Sequence, residues 1–585
     1  MKRRPVPDRR RDRIRGAPAT GVTLVLLGLV AAFAASCGSA APPPAEPVVQ
    51  QFSSPATIHH PPTVPPEAAV TGRLRAPGGP YLRDASGRIV FFHGVDAVYK
   101  RAPFVLYPAA HKPFTFSAAD AAAIARLGFN VVRLGLEWQG LEPGHGGPNQ
   151  PGVCTPGQPG NPHMYNAATV RAYLAKVAAT VDLLGRYHVY TILDMHQDVW
   201  NQAFRGEGAP SWAVCTSGQR VKALPGRWSR NYRNGALDRA VDHFWDNDVV
   251  GNLQGQYDAV WGAVARYFHT NPWILGYDPY NEPFAPELTV SDRLHFASAL
   301  ECFYTGRHHP GFLSDVTDRA VCPPTDPGKG VVPTIQKADP GALVFVEPDL
   351  FSRHNQPSLL GPMNYPNLVF NFHSYCTYRS PVTGDPTAVD PCATEALTTL
   401  LRRESERPYL ASRIQPGGPA WFMSEFGATH SLDLLRHMTG AADALQLGWS
   451  YWSWKYYGDP TGSSHEALAQ GDGHLFPTAE ILSRTYPQAV AGTPVTMSFE
   501  PLTGSFHLVY LASHGVHAPT VVWVARQHYR RRGYCTQVDG GHIVSPPGSS
   551  QLLVANNRSA HEVDVSVVAG GCRGRAALAA RRSIG

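Results

Sequence analysis

Ile274-Leu-Gly-Tyr-Asp-Pro-Tyr-Asn-Glu-Pro-Phe284 is an apolar run that ends abruptly in a carboxamide and a carboxylate, Asn281 and Glu282. Strands buried on both faces read as short hydrophobic runs. In a (β/α)8 barrel the residues at the C-terminal ends of such strands face the active site. The same design recurs much later in Ala420-Trp-Phe-Met-Ser-Glu-Phe-Gly427, where the run terminates in Glu425. Hydrolysis of a glycosidic acetal ordinarily needs two carboxyl groups, one to protonate the leaving oxygen and one to attack or activate water from the opposite side. The two runs supply two such groups.

Outward from these runs, apolar segments recur in the rhythm of a βα repeat. The expected strands are Ile89 to Val95, Asn130 to Gly135, Val189 to Met195, Ile274 to Asn281, Leu343 to Glu347, Leu368 to His373, Trp421 to Glu425 and Gly448 to Trp454. Helical segments lie between several of them: Ser117 to Leu127, with Ser117 as N-cap and Asp120 in the first turn, and Ala167 to Tyr187. Strands alternating with helices predict a parallel sheet, and eight of them predict a (β/α)8 TIM barrel over 72–487.

Other strand ends are polar too: Arg133 in the second, Asp194-Met-His-Gln-Asp198 in the third, His373-Ser-Tyr375 in the sixth and Trp452-Ser-Trp454 in the eighth. Taken singly, Arg133 reads as a salt-bridge partner and His196 or His373 as a hydrogen-bonded core residue. Core packing alone does not predict their recurrence at one end of successive strands.

Five segments carry a resemblance to glycoside hydrolase family 5, and within it to the endoglycoceramidases. They are Phe92-His-Gly-Val-Asp-Ala-Val-Tyr-Lys100 followed by Arg101-Ala-Pro103, Gly128-Phe-Asn-Val-Val-Arg-Leu-Gly135, Leu193-Asp-Met-His-Gln-Asp198, Tyr280-Asn-Glu-Pro-Phe284 and Ser424-Glu-Phe-Gly427. Asp96 stands where the family usually has Asn. The resemblance implies a retaining hydrolase with Glu425 as nucleophile, kept ionised by Arg133 and a hydrogen bond from Tyr375. It implies Glu282 as acid and then base, with its pKa raised by the neighbouring charge. Asn281 would bind the sugar 2-hydroxyl, His196 and His373 would line the floor, and Trp454 would stack beneath the ring. Lys100, Asp198 and Trp245 would contact the sugar or its neighbours; from the residues alone, Lys100 and Asp198 also read as a mutual ion pair, and Trp245 as helix packing.

The resemblance also implies a glycolipid substrate cut between sugar and ceramide, which needs an apolar groove beside a polar pocket. Phe104, Val105, Leu106, Tyr107, Phe114 and Phe116 after the first strand, with Trp200, Phe204 and Trp212 after the third, are expected to form that mouth or else to fold over one another. A β-glucan or β-mannan endoglycosidase and a non-catalytic glycolipid-binding surface protein are the alternatives.

Beyond Pro487 the texture changes to short alternating strands, Thr496 to Pro501, Ser505 to Leu511, Thr520 to Val524, Gln551 to Val554 and Glu562 to Val568, which predict a small antiparallel β-sandwich over 488–573. Residues 574–585 read as a disordered tail.

The N-terminus carries Lys2, Arg3, Arg4, Arg9, Arg10, Arg11, Arg13 and Arg15 ahead of an apolar stretch from Gly21 to Ser36 and then Cys37. This reads as an export signal over 1–37. Ala34-Ala35-Ser36-Cys37 resembles the bacterial lipoprotein box, so Cys37 is expected to be lipidated and the protein to sit at the cell surface or outside the cell, touching membrane. A Pro- and Ala-rich tether follows over 38–71. The basic run, offset by Asp8 and Asp12, accounts for the whole net charge of +6, so nothing suggests nucleic acid. Eight further cysteines in an exported chain favour disulfides, expected between neighbours: Cys154 with Cys215, Cys302 with Cys322, Cys376 with Cys392, and Cys535 with Cys572. No Cys-x-x-Cys argues for zinc, and neither metal nor cofactor is expected.

Overall fold

The computed structural model describes residues 64–155, 165–285, 290–307, 330–350, 363–375, 417–530 and 533–570, with a few single positions between them. The export segment, Cys37, most of the tether, Cys376, Cys392, Cys572 and the C-terminal tail lie outside the described residues.

Eight parallel strands close into a barrel: β1 His93–Ala97, β2 Val131–Leu136, β3 Tyr190–Met195, β4 Ile274–Asp278, β5 Leu343–Val346, β6 Leu368–Ser374, β7 Ala420–Phe426 and β8 Gly448–Tyr451, which returns to pair with β1. The helix Ala118–Arg126 starts on a capping box in which Ser117 and Asp120 satisfy each other's backbone N–H groups. Asn166 caps the helix Ala167–Arg186.

The first expected strand splits. Ile89–Val90 pairs with Leu82–Arg83 and with Tyr486–Val490, outside the barrel, and the barrel strand begins only at His93. The run is apolar throughout because its two halves enter different cores: Ile89 and Phe91 pack into the C-terminal sandwich, while Phe92 faces into the barrel floor.

Alternation along the strands sorts the barrel interior into two levels. Towards the strand starts, Phe92, Val131, Ile192, Leu343, Phe345, Val369, Ala420 and Phe422 form a buried apolar plug. One or two inward positions further on come Asp96, Arg133, Asp194, Asp278, Glu347, Asn371 and His373, all buried. Strand β7 needs one extra residue to join them. Its pairing with β6 runs Phe372 to Met423 and then His373 to Glu425, skipping Ser424. A bulge of this kind redirects every later side chain, and it turns Glu425 inward beside His373.

The C-terminal sandwich packs a six-stranded antiparallel sheet, Leu82–Arg83, Ile89–Val90, Tyr486–Val490, Thr520–Trp523, Gln551–Asn556 and Gly541–Ile543, against a four-stranded one, Gly492–Glu500, Ser505–Ala512, Glu562–Ala569 and Tyr534–Asp539. Phe499, Phe506, Leu508, Tyr510, Val563, Val565 and Val567 alternate into its core. Sequence alone placed the sandwich after Pro487, yet two of its strands come from ahead of the barrel; a two-residue strand carries no alternation to read. Buried Arg484 ties the two parts together: it pairs with Asp443, and it donates to Thr439 Oγ1 at 3.0 Å and to Phe499 O at 2.7 Å. Disulfides join Cys154 to Cys215 and Cys302 to Cys322, and Cys535 is also disulfide-bonded.

Candidate active site

Arg133 is the cation at the centre of the polar level. Its guanidinium lies 2.6 Å from Glu425 Oε1, 2.8 Å from Glu347 Oε1, 2.9 Å from Asp278 Oδ2 and 3.0 Å from Asp194 Oδ1, and it donates to Asn281 Oδ1 at 2.8 Å. So many carboxylates around one arginine cannot all be charged cheaply. Burial, and then Glu425, pushes the Asp96 carboxyl well above the usual range. Burial, and then Glu347, does the same to Asp278.

Glu282 and Glu425 meet on either side of His373. One oxygen or ring nitrogen from each of the three lies within 4.8 Å of the other two. His373 Nδ1 is 2.9 Å from Glu282 Oε1 and 3.4 Å from Glu425 Oε2. Burial opposes a charge on this imidazole, but Glu347, Glu425 and the contact with Glu282 outweigh it and hold its pKa well above the ordinary value. Tyr375 donates to Glu425 Oε2 at 2.7 Å, and burial, reinforced by Glu425, keeps it a phenol able to do so. Glu282 itself has φ +47°, a left-handed conformation that disfavours a side chain. It is held there by its own N–H donating to Glu347 Oε2 at 2.9 Å and by Gln197 Nε2 reaching its carbonyl at 3.2 Å.

Beside this pair stands a second charged group. Lys100 Nζ is 2.5 Å from Asp198 Oδ2 and 3.3 Å from Glu207 Oε1, and it donates to Thr461 Oγ1 at 2.8 Å. Burial works against the ammonium, yet Asp198 and Glu207 hold its pKa well above the ordinary value. Burial would raise Asp198 as well, but Lys100 and His196 bring it down, while buried Glu207 is pushed up. The ion pair is therefore present. His196 bonds Asp194 through Nδ1 at 2.8 Å and lies parallel to Trp452.

Two carboxyl groups within about 5 Å of each other at the ends of β4 and β7 suit direct attack on an anomeric carbon, whereas inverting enzymes hold theirs ~6.5–9.5 Å apart to admit a water. The family profile described as Cellulase (glycosyl hydrolase family 5) matches residues 109–458. The chain belongs to glycosyl hydrolase family 5. Residues 484–568 match the glycoside hydrolase family 5 C-terminal domain. Endoglycoceramidase I of Rhodococcus hoagii is 28% identical over 497 residues, 82% of this chain and 85% of that one. The Hydra vulgaris endoglycoceramidase is 24% identical, covering 81% and 84%. The fold is also that of endo-glycoceramidase II from Rhodococcus sp. in its ganglioside GM3 complex, with a TM-score of 0.64, 23% identity and 84% and 100% coverage.

Within this family 5 barrel several expectations need correction. Trp454 is fully buried and turned away from the cleft, its indole N–H donating to Asp120 Oδ1 at 3.1 Å. The ring at the site is Trp452, which stacks on His196 and has Lys100 Nζ 4.6 Å above its centroid. Trp245 packs among Phe244, Tyr280, Phe296 and Phe303 and donates to Phe284 O at 2.7 Å, so it braces the segment after Glu282 and presents no face to a sugar. Trp200, Phe204 and Trp212 are buried as well, and Val105, Leu106 and Phe116 with them. These six pack inside the folded insertions, whereas Phe104, Tyr107 and Phe114 stay half-buried, with the rings of Tyr107 and Phe114 stacked at 5.1 Å.

Sequence reasoning passed over Glu347, Asp278, Glu207 and Trp452 as site residues. Glu347 bore the same signature as the two glutamates it supports, a carboxylate ending an apolar run. Trp452 lay two positions from the tryptophan chosen, and alternation cannot arbitrate where a strand has already ended at Tyr451.

Proposed function

We propose that this chain is a retaining endoglycosidase that cleaves the β-glycosidic bond between the sugar headgroup and ceramide in glycosphingolipids. The observation that carries this reading is the convergence of Glu282 and Glu425 at the ends of β4 and β7, in a chain whose relatives along most of its length are endoglycoceramidases. Glu425, oriented by Arg133 and Tyr375, attacks the anomeric carbon as Glu282 gives its proton to the ceramide oxygen. Ceramide leaves as an alcohol and a glycosyl ester forms on Glu425. Glu282, now a carboxylate, takes a proton from water, which attacks the same carbon and frees the sugar with retained configuration. Asn281 is positioned by Arg133 to meet the 2-hydroxyl, and Lys100 with Asp198 offers charged partners to further hydroxyls.

The same reading places the protein outside the cytoplasm, exported by its N-terminal signal and anchored through a lipidated Cys37. The disulfides support an oxidising compartment. Fractionation and mass spectrometry of wild type against Cys37→Ser test the anchor.

Purified protein incubated with glucosyl-, galactosyl- and oligosaccharyl-ceramides is expected to release free ceramide and a sugar whose first-formed anomer is β by NMR. Release of reducing sugar from β-glucan or β-mannan, with no ceramide formed, would transfer the assignment to a polysaccharide endoglycosidase.

A further inference from the structure

Glu347, the residue immediately after β5, touches Glu282, His373 and Arg133 of the paired-carboxylate site and has no part in the reaction steps above. Its Oε2 accepts the backbone N–H of Glu282 at 2.9 Å, at the point where the chain takes its left-handed turn. Its Oε1 accepts from Arg133 Nη2 at 2.8 Å and from Asn371 Nδ2 at 3.4 Å. The same oxygen lies 3.3 Å from His373 Nε2, close enough for an ion pair though not aligned as a full hydrogen bond. Its own backbone is clamped on both sides by Tyr304 Oη, which accepts from Glu347 N and donates to Glu347 O at 3.0 Å each. The residue is only 2% exposed. A buried carboxylate with two cations and the acid/base backbone on its two oxygens is costly to maintain for packing alone.

We propose that Glu347 is the positioning residue of this hydrolase: it fixes the backbone of Glu282 in its left-handed turn and supplies the negative charge that keeps a proton on the Glu282–His373 pair. His373 has carboxylates at both ring nitrogens, so both N–H groups are useful only if the ring is doubly protonated. Glu282 Oε1 and His373 Nδ1, 2.9 Å apart, form one pair. It is faced by Glu347 after β5, by Arg133 on β2, Glu425 on β7 and Tyr375 after β6, and further off by Asp96 on β1, Asp194 on β3, Asp198 after β3 and Asp278 on β4. Removing one negative charge lowers the proton affinity of the pair as a whole, an effect offset in part as Asp278, no longer held up by Glu347, ionises more readily. Arg133 keeps Asp194, Asp278 and Glu425, so the loss leaves no buried cation unpaired.

The inference rests on the reading that Glu282 gives a proton to the leaving group, and the test separates the two. Wild type, Glu347→Gln and Glu347→Asp are compared on a glycosylceramide and on a dinitrophenyl glycoside of the same sugar, whose leaving group needs little protonation. Glu347→Gln is expected to lose roughly 10- to 100-fold in kcat/KM on the glycosylceramide but only about 5-fold or less on the aryl glycoside. Its alkaline limb should move about one pH unit lower, because the proton is lost sooner. Glu347→Asp should restore the limb without restoring the full rate. An unshifted limb, or equal losses on both substrates, overturns the proposal. If wild type cleaves neither substrate, the proposed function fails instead. The inference is then decided by the low-field imidazole proton signal that disappears in His373→Gln, which must titrate at lower pH in Glu347→Gln than in wild type.

Discussion

The indole of Trp452 lies flat against the imidazole of His196, with ring centroids 5.2 Å apart and planes 12° from parallel. Trp452 retains slight exposure, and its N–H is anchored on Glu466 Oε2 at 3.1 Å. This places an aromatic ring just beyond β8, between His196 and Lys100.

Trp452→Ala and Trp454→Ala should therefore differ in kind. The first is expected to cost on the order of 10²-fold in kcat/KM, through lost positioning, with a modest change in melting temperature. The second removes a fully buried indole and should cost about 3–5 kcal/mol of stability. Steady-state kinetics and thermal melts of the two variants check the assignment; the reverse pattern would restore Trp454 as the sugar platform.

Replacing either glutamate by alanine should abolish most turnover, by roughly 10²–10⁴-fold for Glu282 and at least about 10⁴-fold for Glu425. Added azide distinguishes their roles. With Glu282→Ala it should attack the glycosyl-enzyme and yield a β-glycosyl azide. With Glu425→Ala it should enter from the vacated face and yield the α-azide. NMR of the products settles which side each residue occupies.

Asp84 and Arg88 form an ion pair at 2.8 Å with both side chains fully buried, and Arg88 Nη1 also reaches Glu67 O at 3.3 Å and Pro519 O at 3.2 Å. Burial works to raise the Asp84 carboxyl, but hydrogen bonding from Ser86 and the charge of Arg88 overcome it and leave the pKa lowered. A depressed carboxylate contributes stability that is complete above its unfolded value of 3.8 and lost as pH falls through the folded one. Asp84→Asn should cost about 3–5 kcal/mol near neutrality by stranding Arg88. Its stability should also fall less steeply than wild type below pH 3.8, as followed by denaturant melts across the acid range.

The Cys154–Cys215 disulfide ties the segment after β2 to the one after β3 across 61 positions. Replacing both cysteines by serine should cost about 2–4 kcal/mol. Because Asp198 and Glu207 lie on the second segment, activity should fall together with the melting temperature.

The barrel was legible because its strands are buried on both faces, so that each appears as an apolar run, and because polar residues gather at one end of several runs. The two glutamates, Arg133, Asn281, His373 and Tyr375 could be named on that ground, and the structure brings them together. Reading Ile89 to Val95 as one strand failed because two separate cores demand the same apolar residues. Phe116, Trp200, Phe204 and Trp212 misled because aromatic composition alone does not distinguish a ring facing lipid from one facing another insertion.

What the sequence by itself determined is the order of strands, the chemistry at their ends and the family motifs, since these depend on local periodicity and residue type. Only the tertiary structure decided which inward position each side chain occupies. A one-residue bulge at Ser424 turns Glu425 toward Glu282, and the chain beyond β8 sends Trp452 inward and Trp454 out. Glu347 meets Arg133, Glu282 and His373 only when β2, β4 and β6 close around it. Periodicity fixes a face modulo two, and only the closing of the barrel fixes where that count is shifted.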